Sequence, residues 1–332
     1  MIKAYAVFEP GGELKKFKYD PGDLKNDEVE INVRYCGICH SDLSMINNDW
    51  ACSEYPLVPG HEVIGTVNKI GKDVKNLKVG DLVGLGWHSG YCMHCASCLA
   101  GDFNLCAEAE ATIVSHHGGF ADKVRAHAPS VIKLPAEIDL ESAGPLFCGG
   151  IIVFNPLVQF NVKPTDRVGV IGIGGLGHLA VQFLHAWGCE VTAFSSTDSK
   201  RDEIMKLGAD HMLNSRSREA LEGHAGYFDF IISTVNKPLD WNLYIQALKP
   251  KGRLHFVGVV PAPLNIMAPD LISGQRSISG SPVGAPGNIK KMLDFAQKHK
   301  IKPVIEKYPF NKVNEAIEHL KSGKARYRIV LY

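Results

Sequence analysis

Apolar and polar residues alternate along "EVEINVRY" (28–35), and short β-branched runs in "DKVRAHAPSVIKL" (122–134) are cut by Pro and Ser. A period of two predicts strands. "LVPGHEVIGTVNKIGKDVKNLKVGDLVGL" (57–85) sets apolar pairs between Gly-Lys-Asp turns. That texture predicts a small, strongly bent antiparallel barrel. After Cys148 the period changes. "DRVGVIGIGG" (166–175) reads as a buried strand running into glycines, and "LGHLAVQFLHAWG" (176–188) has helical spacing that stops at Gly188. "EVTAFSS" predicts a second strand, "SKRDEIMKLGA" a second helix and "DHMLNS" a third strand; "FDFIISTV" and "GRLHFVGVV" follow as further strands. Strand and helix in alternation predict an α/β fold with a parallel, doubly wound sheet. The tail from Asn288 holds two helices, and its "KPVIEKYPF" and "RYRIVLY" strands suit a return to the first domain. The expected division is 1–150 with 287–332, against 151–286, with a cysteine lobe at 88–107.

Composition narrows the function classes. Thirty-six basic side chains face 35 acidic ones in 332 residues, so no global field attracts nucleic acid or an anionic membrane. "MIKAYAVFEPGG" lacks the apolar core of a signal peptide, and no run reaches the ~18 apolar residues of a membrane span. The expectation is a soluble, cytoplasmic protein. Nine cysteines then point to metal or thiol chemistry more than to disulfides.

The densest cluster is "CMHCASCLAGDFNLC", with Cys92, Cys95, Cys98 and Cys106 spaced C-x2-C-x2-C-x7-C. Four thiolates so close together fit tetrahedral structural zinc, whose binding would supply the folding energy of a lobe poor in apolar residues. Ferredoxin spacing differs in its last interval. His94, inside the run, reads as a bystander.

"YCGICHSDLSMINNDW" (35–50) poses a choice. Cys36, Cys39 and His40 match the C-x-x-C-H of c-type haem attachment, yet Cys39 alone can join a different set. With His61 and Glu62 of "PGHEVIG" and Cys148 of "AGPLFCGG", it makes two thiolates and one imidazole. That is a three-ligand zinc site with an open fourth position, and Glu62 is a transient ligand or a neighbour of the site. Cys36, Cys52 and Cys189 read as small buried apolar residues.

Gly172, Gly174 and Gly177 fit G-x-G-x-x-G, with Ile173, Gly175 and Leu176 between them, after an apolar strand and at the start of a helix. The second strand ends in Ser195 where an NAD-binding chain carries Asp or Glu. Ser195, Ser196 and Thr197 offer hydroxyls, and Lys200 or Arg201 a charge, for a 2′-phosphate. NADP(H) is therefore the expected cofactor; Asp198 reaching a ribose is the competing reading.

Together these residues resemble the zinc-dependent medium-chain alcohol dehydrogenases, and within them the cinnamyl alcohol dehydrogenase group, from about residue 3 to 331. The resemblance is carried by "CGICHSDL", "YPLVPGHEVIGTV", the four-cysteine lobe, "CGGIIVF", "GIGGLGHLAVQF" and "ISGSPVG". "SAGPLFCGG", "CEVTAFSS" and "GKARYRIVL" are similar to the bacterial NADPH-dependent aldehyde reductases of broad substrate range. The resemblance implies a GroES-like catalytic domain interrupted by a Rossmann nucleotide domain, with the active site in the cleft between them. It implies catalytic zinc on Cys39, His61 and Cys148 with Glu62 adjacent, structural zinc on the lobe, and a homodimer in which "RSISGS" is an edge strand near the partner. It places His40, Thr234, Val235, Gly258, Val259, Ser279 and Ser281 on the cofactor, and makes Ser41 a hydroxyl proton relay. Trp50, Trp87 and Phe147 are candidate pocket walls.

Three departures stand out. Ser44 occupies the position of a histidine that passes protons to solvent, leaving water or Asp49 for that step. Ile152 replaces a cofactor-contacting Thr. The segment after the lobe is about ten residues short, so no lignin-type substrate is carried over. The implied reaction is reduction of aliphatic and aromatic aldehydes by NADPH, with NAD(P)-dependent alcohol or cinnamyl-type alcohol oxidation as the alternative.

Overall fold

The computed structural model describes residues Met1–Tyr332 and divides into two units, 1–151 with 283–332, and 152–282. In the first, β1 (Ile2–Ala6) pairs with β2 (Lys15–Tyr19). Then come β3 (Glu28–Ile38), α1 (His40–Asn47), β4 (Val63–Ile70), β5 (Leu82–Leu85), β6 (His88–Gly90) and a single turn, α2 (Ala96–Leu99). β7 (Glu110–Ala111), β8 (Lys123–His127), β9 (Val131–Lys133) and α3 (Leu140–Ala143) complete the segment. β3 pairs antiparallel with β4 and β8, β4 with β5, and β5 with β9. The register of β3 on β4 shifts between Glu30 and Ile31 and again between Val33 and Tyr35. Such bulges bend and twist a strand; the pairings run as an open path from β16 to β9, without the closure of the expected barrel.

The alternation of β3 fails at its first acidic positions, Glu28 and Glu30, which are both buried. Val29 and Ile31 are buried as expected, but so is Glu30 between them. Arg125 and Lys123 from β8 and Asn68 from β4 surround its carboxylate, and those partners offset the cost of removing it from water.

α4 (Gly149–Gln159) leads into the second unit. There β10 (Arg167–Ile171), α5 (Gly177–Trp187), β11 (Glu190–Ser195), α6 (Arg201–Lys206), β12 (His211–Asn214), α7 (Arg218–Glu222), β13 (Phe228–Ser233), α8 (Trp241–Ala247), β14 (Leu248–Phe256), α9 (Ala268–Ile272) and β15 (Ser277–Gly280) alternate. Six parallel strands lie in the order β12-β11-β10-β13-β14-β15, the doubly wound topology, with its switch point between β10 and β13. α5 stops where Gly188, at φ 103°, turns its N–H back to the carbonyls of Leu184 and His185. The predicted second helix opens with a 3-10 turn, Asp198–Lys200, before α6.

α10 (Pro286–Lys298), β16 (Ile305–Tyr308), α11 (Val313–Lys321) and β17 (Arg328–Leu331) return to the first unit. β17 pairs antiparallel with β3 and parallel with β16. No single helix is long and apolar enough to cross a membrane.

Candidate metal centres and dinucleotide turn

The donor atoms of Cys39, His61, Glu62 and Cys148 all lie within 4.8 Å of one another, and all four residues are buried. Cys39 Sγ and Cys148 Sγ are 3.8 Å apart, and His61 Nε2 is 3.3 Å from Cys148 Sγ. Metal–sulfur bonds of about 2.3 Å at a tetrahedral angle put two thiolates about 3.8 Å apart, whereas a disulfide would need about 2.05 Å. The donor set therefore fits zinc. Glu62 reaches this depth because Gly37 faces it: a Cβ there would lie 1.9 Å from Glu62 Oε2.

Two residues that sequence reasoning missed organise this centre. Asp42, fully buried on α1, accepts the Cys39 N–H at Oδ2 (2.8 Å) and the Gly60 N–H at Oδ1 (2.9 Å). The same Oδ1 is 2.9 Å from His61 Nδ1. That contact puts the proton on Nδ1 and leaves Nε2 as the ligand atom. An acid at the third position of a helix, reaching back to its N-cap, is a readable signal in "CHSD". Arg328, on β17, forms a buried ion pair with Glu62. Glu62 Oε2 and Arg328 Nε have no other partner, so the carboxylate keeps one oxygen uncommitted among the donors. Arg328 arrives only through the pairing of β17 with β3, which no local pattern announces.

The four ionisable groups of this cluster shift one another strongly, in both directions. The hydrogen bond from Cys148 holds the Cys39 thiol well below its usual range, and the same contact, with burial, pushes Cys148 up. Burial pulls His61 down, but Asp42 outweighs it and holds the imidazole well above its usual value. Burial pushes the Glu62 carboxyl up although Arg328 beside it works the other way.

Around the centre, the Trp87 ring stands edge-on to His61 at 5.2 Å, and Trp50 meets Trp87 at 5.9 Å. Phe147 is no pocket wall. It is fully buried beneath Gly84, where an added Cβ would fall 2.1 Å from Cζ of its ring. Ser41 Oγ lies 3.7 Å from Cys39 Sγ, and His40 is exposed at the start of α1. Ser44 is buried, with its carbonyl taking the N–H of the exposed Asp49. Cys36 is fully buried against Gly60 and Gly119, which removes the haem-attachment reading of C-x-x-C-H. Cys189 is buried as expected, but Cys52 is exposed, with its Sγ 3.8 Å from Met45 Sδ.

The lobe brings its four thiols together as well. Cys92 Sγ is 3.5 Å from Cys106 Sγ and 3.9 Å from Cys98 Sγ, and all four donors fall within 4.8 Å of one another. Backbone N–H groups of Cys95 and Cys98 point at the sulfurs of Cys92 and Cys95. The His94 and Cys95 N–H groups help to pull Cys92 down to about 6, while burial pushes Cys98 up to about 12. The lobe's buried apolar content is only Tyr91, Cys98 and Cys106. His94 and Glu108 lie near Cys92 but are exposed.

At the second unit's sheet, Gly172 takes φ 85°, and a Cβ on Gly177 would sit 1.9 Å from the Gly172 carbonyl oxygen. A Cβ on Gly174 would meet nothing within 4 Å, so the turn leaves open space over the start of α5. That space at a helix N-terminus suits a pyrophosphate. Thr234 Oγ1 donates to the carbonyls of Ile171 and Gly172 (2.9 and 2.7 Å), and Gly258 packs its backbone on Val235. Ser195 Oγ donates to the Thr197 carbonyl (2.9 Å), and Ser196 is half-buried beside it. Lys200 Nζ donates to the Ile173 carbonyl (3.4 Å), which puts its ammonium at the glycine turn. Asp198 is exposed and engaged by Arg201 (3.2 Å). Val259 is exposed. Ser279 and Ser281 both face the ring of His255, a residue the sequence did not single out.

Comparison with known proteins places this geometry. Residues 25–136 match the alcohol dehydrogenase GroES-like domain, and residues 175–298 match the zinc-binding dehydrogenase family. The chain is 64% identical over 331 residues to an aldehyde reductase, AdhA, of Synechocystis sp., covering 100% of this chain and 98% of that protein. It is 39% identical over 341 residues to cinnamyl alcohol dehydrogenase 2 of Rauvolfia serpentina, covering 99% and 95%. A cinnamyl alcohol dehydrogenase of Sorghum bicolor superposes with a TM-score of 0.96 at 36% identity, covering 99% of this chain and 97% of that one. The CAD of Helicobacter pylori, complexed with NADP(H), superposes at 0.91 and 31% identity with the same coverage.

Proposed function

The chain belongs to the zinc-binding dehydrogenases that carry an alcohol dehydrogenase GroES-like domain, and from that membership we propose that it reduces aldehydes to primary alcohols with NADPH at a zinc centre. That it is an oxidoreductase of the aldehyde reductase and alcohol dehydrogenase type follows from its relatives. The carrying observation is the buried donor set, with Cys39 and Cys148 sulfurs 3.8 Å apart and His61 Nε2 3.3 Å from Cys148. Cys39, His61 and Cys148 would hold the catalytic zinc, and Cys92, Cys95, Cys98 and Cys106 a structural one.

When bound, zinc supplies Lewis-acid polarisation of a carbonyl, and NADPH supplies the hydride. The chain's own residues do the rest. Asp42 fixes the His61 tautomer. The Arg328 ion pair neutralises Glu62 in the buried pocket floor. Trp87 and Trp50 give the pocket apolar walls that discriminate weakly between aldehydes differing by a methylene. Ser41, beside Cys39, delivers the proton that converts the reduced carbonyl oxygen to a hydroxyl and is recharged from solvent. Ser44 carries no titrating group, so water or Asp49 closes that path.

NADPH rather than NADH is supported by Ser195 and Ser196 standing at the end of β11 where an acid would be, and by the Lys200 ammonium at the glycine turn. A Rossmann strand that ended in Asp would repel the 2′-phosphate. Thr197, Thr234, Val235, Gly258, Val259, Ser279 and Ser281 make up the remaining cofactor surface of the second unit. β15, last in the strand order, offers an outer edge through which two copies would pair.

The test is an oxidation assay of NADPH and of NADH over a panel of aliphatic and aromatic aldehydes, with zinc counted in the same preparation. Aldehyde-dependent NADPH oxidation at about two zincs per chain is the expected result. Turnover confined to alcohol oxidation with NAD would instead favour the cinnamyl-type oxidative reading.

A further inference from the structure

An open parallel sheet holds its dinucleotide along the carboxyl ends of its strands, one mononucleotide to each half. The glycine turn and Ser195 lie on the β10–β11–β12 half; β13, β14 and β15 form the other half, which takes the nicotinamide end. On that half, His255 sits one residue before the end of β14 and is fully buried. Its register partner on β15 is Ser279, and Ser281 lies two positions further, on the same face. His255 Nδ1 is 2.9 Å from Ser279 Oγ, and Nε2 is 3.0 Å from Ser281 Oγ. The ring packs against Phe160 at 5.0 Å and Phe230 at 5.9 Å. Arg253, on the same face, lies over the Phe160 ring. Burial, and then Arg253, lower the imidazole to about 4, so it is neutral near pH 7.

A neutral imidazole has one donor nitrogen and one acceptor nitrogen. With a hydroxyl on each, one serine accepts and the other donates, so the two O–H directions are set together. The Ser281 backbone is pinned too, its N–H donating to the Phe256 carbonyl (3.4 Å). Ser281 is half-buried just past the end of β15, at the carboxyl edge.

We infer that His255 is a positioning residue for the nicotinamide half of the cofactor, holding the Ser281 hydroxyl with one hydrogen-bonding polarity toward the bound nucleotide. The inference rests on the dinucleotide reading of this sheet. A nicotinamide carboxamide carries both an acceptor oxygen and a donor NH2. If Ser281 donates to Nε2, its lone pairs accept from the NH2; if it accepts from Nε2–H, its proton goes to the carboxamide oxygen.

The test combines ring-nitrogen NMR with a double-variant cycle. In 15N-histidine-labelled enzyme, with His255 assigned by His255→Gln, the His255 nitrogens should report one neutral tautomer and shift when NADP+ is added. Ser281→Ala and His255→Leu should each raise the Kd for NADP+ about 5- to 10-fold, with zinc content unchanged. The double variant should be no weaker than either single one, because both remove the same contact. His255→Gln, which keeps a donor and an acceptor, should recover part of the loss. Independent, multiplying losses, an unchanged Kd in Ser281→Ala, or His255 nitrogens that ignore bound NADP+ would overturn the inference. If His255→Leu does not fold, the NMR titration and Ser281→Ala still decide. Enzyme that binds no nicotinamide nucleotide overturns the dinucleotide reading itself, an outcome distinct from a bound nucleotide that leaves His255 unmoved.

Discussion

Asp42 Oδ1 lies 2.9 Å from His61 Nδ1, and neither side chain has any solvent exposure. The same carboxylate takes the N–H groups of Cys39 and Gly60, so one residue orients two proposed ligands and the turn before the second. Asp42→Asn keeps the shape but offers an NH2 toward one of these donors. Zinc affinity at the buried centre should fall about 10- to 100-fold, with kcat falling in parallel. Competition with a chromophoric chelator measures it. Unchanged zinc affinity would leave Asp42 with a helix-capping role alone.

The lobe of Cys92, Cys95, Cys98 and Cys106 buries almost nothing apolar besides Tyr91. A metal bound by the four thiols would therefore supply most of its local stability. Cys106→Ser should remove one zinc per chain, leave the second in place, and open the 88–107 segment to proteolysis. Zinc counting and limited digestion on the same sample check this. A lobe that resists digestion without its zinc would contradict it.

Lys200 donates to the Ile173 carbonyl at the glycine turn. Lys200→Ala should lower kcat/KM for NADPH by about 10- to 100-fold, the loss of a charge-assisted contact, and change the value for NADH by less than about twofold. Equal losses for both cofactors would mean that Lys200 supports the turn rather than reading the 2′-phosphate.

The features legible in the sequence are the local ones. The cysteine spacing of the lobe spans one short segment, and the glycine turn lies at a single strand–helix junction; both can be read because their geometry is set by neighbours in the chain. Strand and helix alternation gave the parallel sheet for the same reason, although β11 leads into a 3-10 turn rather than straight into α6. Features that depend on pairing between distant segments stayed hidden. Arg328 meets Glu62 only because β17 returns to β3. His255 meets two serines only through the register of β14 on β15. Glu30 reads as solvent-facing by alternation and is buried because three neighbours from other strands pair with it. Phe147 stands among the candidate pocket walls in the sequence, but Gly84 makes room for its ring in the core.

Ser41 Oγ lies 3.7 Å from Cys39 Sγ, whereas Ser44 is buried on the same helix. A hydroxyl that relays the proton contributes typically ~10²-fold or more. Ser41→Ala should lower kcat about 100-fold with cofactor KM little changed, and Ser41→Thr should restore part of it. Ser44→Ala should stay within about twofold of wild type, with no imidazole-like inflection in either pH–rate profile. A Ser44→Ala enzyme as impaired as Ser41→Ala would move the relay down α1.

His255 and His88 are both held at about 4 in the fold, chiefly by burial, well below the usual ~6.5 of a free histidine. Between those values the unfolded chain binds protons that the folded chain refuses. The stability these two histidines contribute is therefore full above pH ~6.5, falls as pH drops toward ~4, and levels off below it, where both states are protonated. Each histidine can cost up to ~3 kcal/mol over that interval, since a tenfold change in proton affinity is worth about 1.4 kcal/mol. Arg253, on the same face of β14, adds to the depression. Urea midpoints of wild type and His255→Gln at pH 7, 6 and 5, in excess zinc, isolate the His255 share. The wild-type midpoint should decline more steeply between pH 6.5 and 5. Parallel declines would mean that His255 keeps an ordinary proton affinity in the fold despite its burial on β14 against β15 and Phe160.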